Sequence, residues 1–347
     1  MEARKRRICG SAVAAVSLVL LAGVVPGEAQ EIVLQSSFDD RLYAVAADSG
    51  RFLVGERGHE VSVLSSDGLQ PSSFAALREG WALAGSRAVG QGGRALVLFR
   101  GGEGEPQEVP LPEQFSRLCT WPSMVVDRGR LAGLVWLEGR DQANLGVRAS
   151  AWDGRRFGPS RWVSSPGQGS QLALSTAALA DGSWLVVWSA FDGGDDEILS
   201  SQRIGEVWTQ PLRVHVGNSV PDITPVVTAT ARGAVAAWSR YDGEHYRLRL
   251  SRFRNGEWIR ERSLGGDGSV FPFFVGDGFG NKTLLVYPTL GDGIWTVTEI
   301  GRRGQVIASS QWPQKTKRRP LVREDSDQRP TLEWLPDRPL SSRGTRR

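Results

Sequence analysis

Leu172–Val214 reads LALSTAALADGSWLVVWSAFDGGDDEILSSQRIGEVWTQPLRV, four short apolar runs separated by turn residues. Leu172–Ala180 is small and apolar, the composition of a strand packed on both faces. Asp181-Gly182-Ser183 interrupts it, because glycine reaches positive φ without steric cost and aspartate bonds its own backbone. Trp184–Ser189 (WLVVWS) is β-branched and aromatic, which suits a second strand. After the polar loop Phe191–Glu197 comes a third run, Ile198–Ile204. Gly205-Glu206 then turns the chain into a fourth, Val207–Val214. Four strands on short turns form an antiparallel meander too small to bury its own faces, so it must stack on copies of itself.

Outward from this stretch the copies are present. The aromatic that ends the second strand recurs as Trp136, Trp188, Trp238 and Tyr287, at intervals of 52, 50 and 49 residues. A second aromatic follows each of the first three after 21, 20 and 20 residues, as Phe157, Trp208 and Trp258; Val306 stands there in the fourth copy. A period near 50 with four strands per unit is that of a propeller blade. Glu31 to about Gln114 reads as two shorter, divergent units. The expected fold is therefore all-β: a six-bladed β-propeller of four-stranded antiparallel blades over residues 30–313. Glu31–Ser36 (EIVLQS) is expected to complete the last blade. The repeated aromatics are expected to pack between blades.

The ends differ from the body. Residues 1–29 read as a secretory signal peptide, with basic Arg4–Arg7, apolar Ala12–Val25 and the small-residue cleavage site Gly27-Glu28-Ala29. Fourteen apolar residues fall short of a bilayer span, so a cleaved signal and a secreted or periplasmic location are expected, with no membrane span. Cys119 is then the one cysteine of the exported chain and reads as a small buried strand residue. Residues 314–347 are Pro-rich and basic and read as a disordered tail; a basic tail could also meet an anionic envelope. The net charge is +4, of which the signal region holds +2 and the tail +5, leaving −3 on the body. Nucleic-acid binding loses its main support from that distribution.

The phrase "inner strand, DG, LVVW, acidic loop, strand, G-x-x-W" resembles the sialidase-like six-bladed propellers, also described as BNR or Asp-box repeat proteins. Their Asp box, S-x-D-x-G-x-x-W, is degenerate here. Ser150 to Phe157 keeps Ser, Asp153, Gly154 and an aromatic; Ser251 to Trp258 has Asn255 for Asp; Ser201 to Trp208 has lost the carboxylate. Such boxes imply the fold rather than the activity. The resemblance would imply an active centre of three arginines, a tyrosine nucleophile and an aspartate acid/base. The first of those arginines belongs to an Arg-Ile-Pro-like segment that this sequence lacks, Arg41-Leu42-Tyr43 being nearest. No catalytic residue is assigned. Kelch propellers are a second comparison, on Gly193-Gly194 before Trp208, a pair the other units lack.

In such a meander the loop between second and third strands opens on the face opposite the Asp-box turns. Asp192, Asp195, Asp196 and Glu197 place four carboxylates there, and close oxygen donors suit Ca²⁺. There is no intact D-x-D-x-D-G loop, and a solvated acidic hairpin is the plainer reading. Tyr241, Asp242, Glu244 and His245 occupy the corresponding loop of the next unit and offer contacts to a polar ligand. Asp192 and Asp242 sit at equivalent places, as a glycosidase pair would, although repeat symmetry alone explains that. The three histidines, His59, His215 and His245, have no acidic neighbour pattern in sequence, so neither a metal site nor a triad is read. The expectation is a binding or scaffold module for a glycan or protein ligand, with oligomeric state open. A sialidase-like glycoside hydrolase is the alternative.

Overall fold

The computed structural model describes residues 31–334, apart from 39–40, 49–50, 57–58, 66–67, 91, 103–104, 113, 115, 167–170, 277–281, 316–318, 326 and 328. The signal segment and the end of the basic tail lie outside the described residues, within which every regular element is a strand. Blade one comprises β1 (Glu31–Phe38), β2 (Arg41–Asp48), β3 (Arg51–Glu56) and β4 (His59–Ser65). Blade two is β5 (Leu69–Leu77), β6 (Gly80–Val89), β7 (Gly93–Gly101) and β8 (Gln107–Glu108). Blade three is β9 (Leu118–Asp127), β10 (Arg130–Gly139), β11 (Leu145–Ala151) and β12 (Arg161–Ser164). In blade four, β13 (Gln171–Ala178), β14 (Trp184–Phe191) and β15 (Asp196–Ile204) are followed by two short outer strands, β16 (Val207–Trp208) and β17 (Leu212–Arg213). Blade five holds β18 (Asp222–Thr230), β19 (Gly233–Tyr241), β20 (Tyr246–Arg254) and β21 (Glu257–Leu264). Blade six holds β22 (Phe273–Val275), β23 (Lys282–Thr289), β24 (Ile294–Gly301) and β25 (Val306–Pro313), and a hairpin, β26 (Leu321–Glu324) and β27 (Pro330–Glu333), follows it.

Within each blade successive strands pair antiparallel, except that β16 and β17 of blade four both pair with β15; blades two and three are additionally joined by one parallel pair, Arg94 with Leu118. The first strands β1, β5, β9, β13, β18 and β22 neighbour one another in that order, and β22 also meets β1, so the series closes on itself. Radial repetition of this kind leaves each blade only short, protected edges, which limits edge-to-edge association.

The repeated aromatics lie where the period places them. Trp136, Trp188 and Trp238 are fully buried and Tyr287 nearly so. Each packs against the preceding blade: Trp136 with Ala84 and Leu98, Trp188 with Val135 and Val147, Trp238 with Leu185 and Val187, Tyr287 with Val235 and Leu248. Burying a ring of this size removes some 150–250 Å² of surface from water, so these contacts dominate cohesion between blades. Gly133 of β10 has no room for a Cβ because the Trp184 ring of the next blade lies against it. Serines on inner strands add a second link, accepting from the backbone amide of the next inner strand. The pairs are Ser36 with Ala76, Ser73 with Met124, and Ser175 with Val227, at 3.0–3.1 Å.

One regularity has no counterpart in residue type. Trp121, Ala173, Thr224 and Phe271 have φ of 49°, 38°, 52° and 50°, at corresponding places near the start of the first strand in blades three to six. In blades three to five the register with the second strand shifts there, the mark of a bulge that bends the strand. A left-handed non-glycine residue is costly, so its fourfold recurrence reflects the ring's geometry rather than local preference.

Two expectations change. Glu31–Ser36 does not complete blade six; β1 pairs with β2 and is the inner strand of blade one. A hairpin that forms locally needs no long loop closure, which favours the sequence-adjacent partner. Regular structure also continues past 313, as a separate two-stranded sheet. β26 and β27 pair from Leu321–Glu333 to Glu324–Pro330, within what reads as a disordered tail. Val322 packs with Val275, Leu284, Val286 and Trp295 of blade six, and its amide donates to Gln35 Oε1 of blade one at 3.0 Å. Lys282 holds Glu299 at 3.3 Å and Glu324 at 3.0 Å. The hairpin thus covers the seam between last and first blades; residues 335–347 lie outside the described set.

Candidate functional site

The second-to-third-strand loops and the strand starts that follow each blade bring charge together where blade four meets blade five. Asp192 starts the loop after β14. Its Oδ1 accepts from the amides of Gly194 (2.9 Å) and Asp195 (3.4 Å), a turn that favours Asp locally. Those amides hold its carboxyl below the usual range. Its Oδ2 meets Arg213 at 3.0 Å, and the same guanidinium donates to Glu197 Oε1 at 2.7 Å. Asp195 and Asp196 are both raised by burial, Asp196 to about 6.

Beneath this lies a buried polar layer. Glu197 is the second residue of β15; His215 follows β17; Asp222 opens β18 of the next blade. Their side chains are 2%, 0% and 0% exposed. His215 Nδ1 lies 2.8 Å from the carbonyl of Val216, which makes Nδ1 the donor. Nε2 then faces Glu197 Oε2 at 3.1 Å and Asp222 Oδ2 at 3.3 Å, with the Ile198 amide donating to it at 3.2 Å. Asp222 is heavily braced. Its Oδ1 accepts from Trp238 Nε1 at 2.6 Å and Arg240 Nε at 2.7 Å, and its Oδ2 accepts from Asn218 at 2.7 Å and Arg240 at 3.1 Å. Arg240 also donates to Glu261 at 2.8 Å, and the His215 ring stacks on Trp238 with centroids 5.4 Å apart. Glu197 Oε2 accepts no hydrogen bond, and burial raises the Glu197 carboxyl above its ordinary value.

Asp192, Asp195, Asp196 and Glu197 are grouped in sequence, and the ligand atoms of Asp192, Asp195 and Glu197 lie within 4.8 Å of one another. Tyr241, Asp242, Glu244 and His245 form a separate loop cluster. Asp242 Oδ1 accepts from the amides of Glu244 (3.1 Å) and His245 (2.9 Å), which lowers its carboxyl. Its Oδ2 pairs with Arg247 at 3.0 Å, and Arg247 reaches Asp267 at 2.6 Å. Tyr241 and Tyr246 pack with centroids 5.0 Å apart. Asp192 and Asp242 therefore do equivalent turn-forming work, which accounts for their symmetry. Grouping in sequence misses His215, Asp222, Arg213 and Arg240. His215 has no acidic neighbour in sequence, yet the fold gives it two, from 18 residues before and 7 after. A buried-looking histidine just past a strand end was the available signal.

At the opposite end of the blades, Ser150, Ser201 and Ser251 each donate to the carbonyl eight residues on (Gly158, Thr209, Ile259) at 2.6, 2.7 and 3.4 Å. A shallow cleft of roughly one small solute opens there between blades three and four. It is lined by Trp184, Trp208, Arg161, Arg203 and Glu206, with Arg203 stacked over Trp184 at 4.3 Å. Cys119 is fully buried and its thiol is pushed up to about 12, burial first and the Glu138 charge second. No helix among the described residues is long and apolar enough to cross a membrane.

Compared by sequence, the chain matches no protein family and no curated protein. Compared by structure, it is similar to β-propellers. A protein of unknown function from Dyadobacter fermentans is 11% identical with a TM-score of 0.53, covering 83% of this chain and 95% of that one. A fungal lectin from Aleuria aurantia, described as a six-bladed β-propeller with a novel fucose recognition mode, is 11% identical with a TM-score of 0.50, covering 81% and 95%. A prolyl endopeptidase is 13% identical with a TM-score of 0.52, covering 92% of this chain; this chain spans 48% of that one. At these identities the likeness establishes the β-propeller fold.

Proposed function

We propose that this chain is an exported β-propeller that acts as a binding module, and that its ligand face is the loop surface over blades four and five. The observation that carries this reading is the make-up of that surface. Arg213, Asp192, Arg247 and Asp267 are each about half exposed, of mixed sign, and held by ion pairs and by the Asx turns of Asp192 and Asp242. Beneath them the Glu197–His215–Asp222–Arg240 layer is buried and braced. Loops of this kind, pre-set on a rigid scaffold, bind polar ligands at low ordering cost.

Export is supported by the Arg4–Arg7 and Ala12–Val25 pattern. Kinship with Asp-box repeats is supported by the recurring bonds of Ser150, Ser201 and Ser251, which brace one turn in three successive blades. A glycan is the first ligand class to test, since a lectin of the same architecture recognises fucose; a protein ligand is the second. The purified chain is screened on a glycan array and against extracellular protein fractions. Arg213→Ala and Arg247→Ala are each expected to weaken a captured ligand about tenfold, the scale of one charge-assisted contact. Binding unaffected by either substitution would move the ligand face elsewhere. Catalytic release of sugar from any bound glycan would replace the binding reading with a hydrolytic one.

A further inference from the structure

The three atoms Glu197 Oε2, His215 Nε2 and Asp222 Oδ2 converge, with Nε2 3.1 Å from the first carboxylate oxygen and 3.3 Å from the second. His215 commits its Nδ1–H to the Val216 carbonyl at 2.8 Å, and Nε2, to which the Ile198 amide donates at 3.2 Å, presents its lone pair inward. Glu197 Oε2 is buried, receives no hydrogen bond, and points at the same spot. Two carboxylate oxygens and an imidazole lone pair repel one another at these distances unless a proton or a metal ion stands among them.

We propose that Glu197, His215 and Asp222 are protein ligands of a divalent transition-metal site of the zinc class, buried where blade four meets blade five. The spacing agrees. Nε2 stands 3.1 Å from Oε2 and 3.3 Å from Oδ2. Ligands at about 2.0–2.1 Å from a tetrahedral ion are about 3.3 Å from one another. An imidazole among the donors selects a transition metal over calcium, which takes six to eight oxygens.

Each ligand is also oriented from behind. The Val216 carbonyl accepts from Nδ1 of the histidine, Arg213 holds Glu197 Oε1 at 2.7 Å, and Trp238 and Arg240 hold Asp222 Oδ1 at 2.6 and 2.7 Å. Such outer contacts are what metal ligands ordinarily carry. The ion displaces the Ile198 amide, 3.2 Å from Nε2, and shares Asp222 Oδ2 with Asn218 at 2.7 Å and Arg240 at 3.1 Å. Because Glu197 and His215 belong to blade four and Asp222 to blade five, the ion clamps the two blades together. This inference concerns the buried layer and does not depend on the ligand face above it.

The test uses the full chain, purified without a histidine tag, stripped with chelator and titrated with zinc sulfate. One zinc per chain is expected by calorimetry and elemental analysis. Zinc X-ray absorption is expected to show one imidazole nitrogen with oxygen donors at about 2.0 Å. The melting temperature should rise by about 5 °C at a hundredfold excess over Kd. His215→Gln should abolish both the binding and the rise. Where that variant fails to fold, the absorption spectrum of the unaltered chain decides alone. The proposal is overturned by zinc binding well below one per chain, by a spectrum without imidazole, or by a rise that persists in His215→Gln. A rise with calcium and none with zinc also overturns it and returns the cation to Asp192, Asp195 and Glu197.

Discussion

Blades three and five finish their polar interiors in ways that blade four does not, although the three repeat the same strands. In blade three, Trp136 Nε1 donates to Glu138 at 2.8 Å, and Glu138 pairs with Arg148 at 3.3 Å. In blade five, Trp238 donates to Asp222, which pairs with Arg240. The pair register makes Glu138, Ala190 and Arg240 equivalent, and likewise Cys119, Gln171 and Asp222. Blade four has no charge at either place. Its Trp188 Nε1 and Gln171 Oε1 are buried without a hydrogen bond, as are Asp195 Oδ2 and Glu197 Oε2. The repeat thus dictates where each indole goes, while single substitutions at flanking positions decide whether its N–H finds an acceptor. Buried polar atoms are costly when unmatched, so their gathering at one end of one blade marks that end as different in use.

The largest expected effect tests the part the blades share. Trp238→Ala should destabilise the chain by about 4 kcal/mol through lost burial and the cavity left behind, read from denaturant unfolding. A loss below about 1 kcal/mol would mean that the ring is not core between blades.

Next comes a residue that sets blade four apart. Asp196 occupies the place held by Leu145 in blade three and Tyr246 in blade five. Burial raises its carboxyl from 3.8 to about 6 in the fold. The folded chain therefore holds this proton more tightly than the unfolded one does. The resulting stability is complete below the unfolded value and is lost as pH rises through about 6, a change of up to about 3 kcal/mol. Melting curves at pH about 4, 5, 6 and 7 should show that decline, and Asp196→Asn should flatten it. An unchanged profile in the variant would assign the titration to other groups.

The smallest effect sharpens the contrast directly. Trp238→Phe removes an N–H that serves a charged acceptor, while Trp188→Phe removes one that serves none. The first should cost about 2 kcal/mol more than the second, measured side by side. Equal costs would erase the distinction between the two blades.

The amino-acid sequence determined the repeat, the antiparallel meander and the burial of Trp136, Trp188, Trp238 and Tyr287. These rest on short-range periodicity and on apolar residues that no single blade can hide. It also exposed Asp192 and Asp242, because an Asx turn is written within four residues. The partnership of Glu197, His215, Asp222 and Arg240 was decided only in three dimensions, since it forms across two blades. The left-handed residues Trp121, Ala173, Thr224 and Phe271 left no trace in residue type, because the closed ring and not local propensity imposes them. Leu321–Glu333 reads as tail because its charged and proline-rich neighbours obscure Val322 and Leu332. Those two side chains become structural only once blade six offers an apolar face to cover.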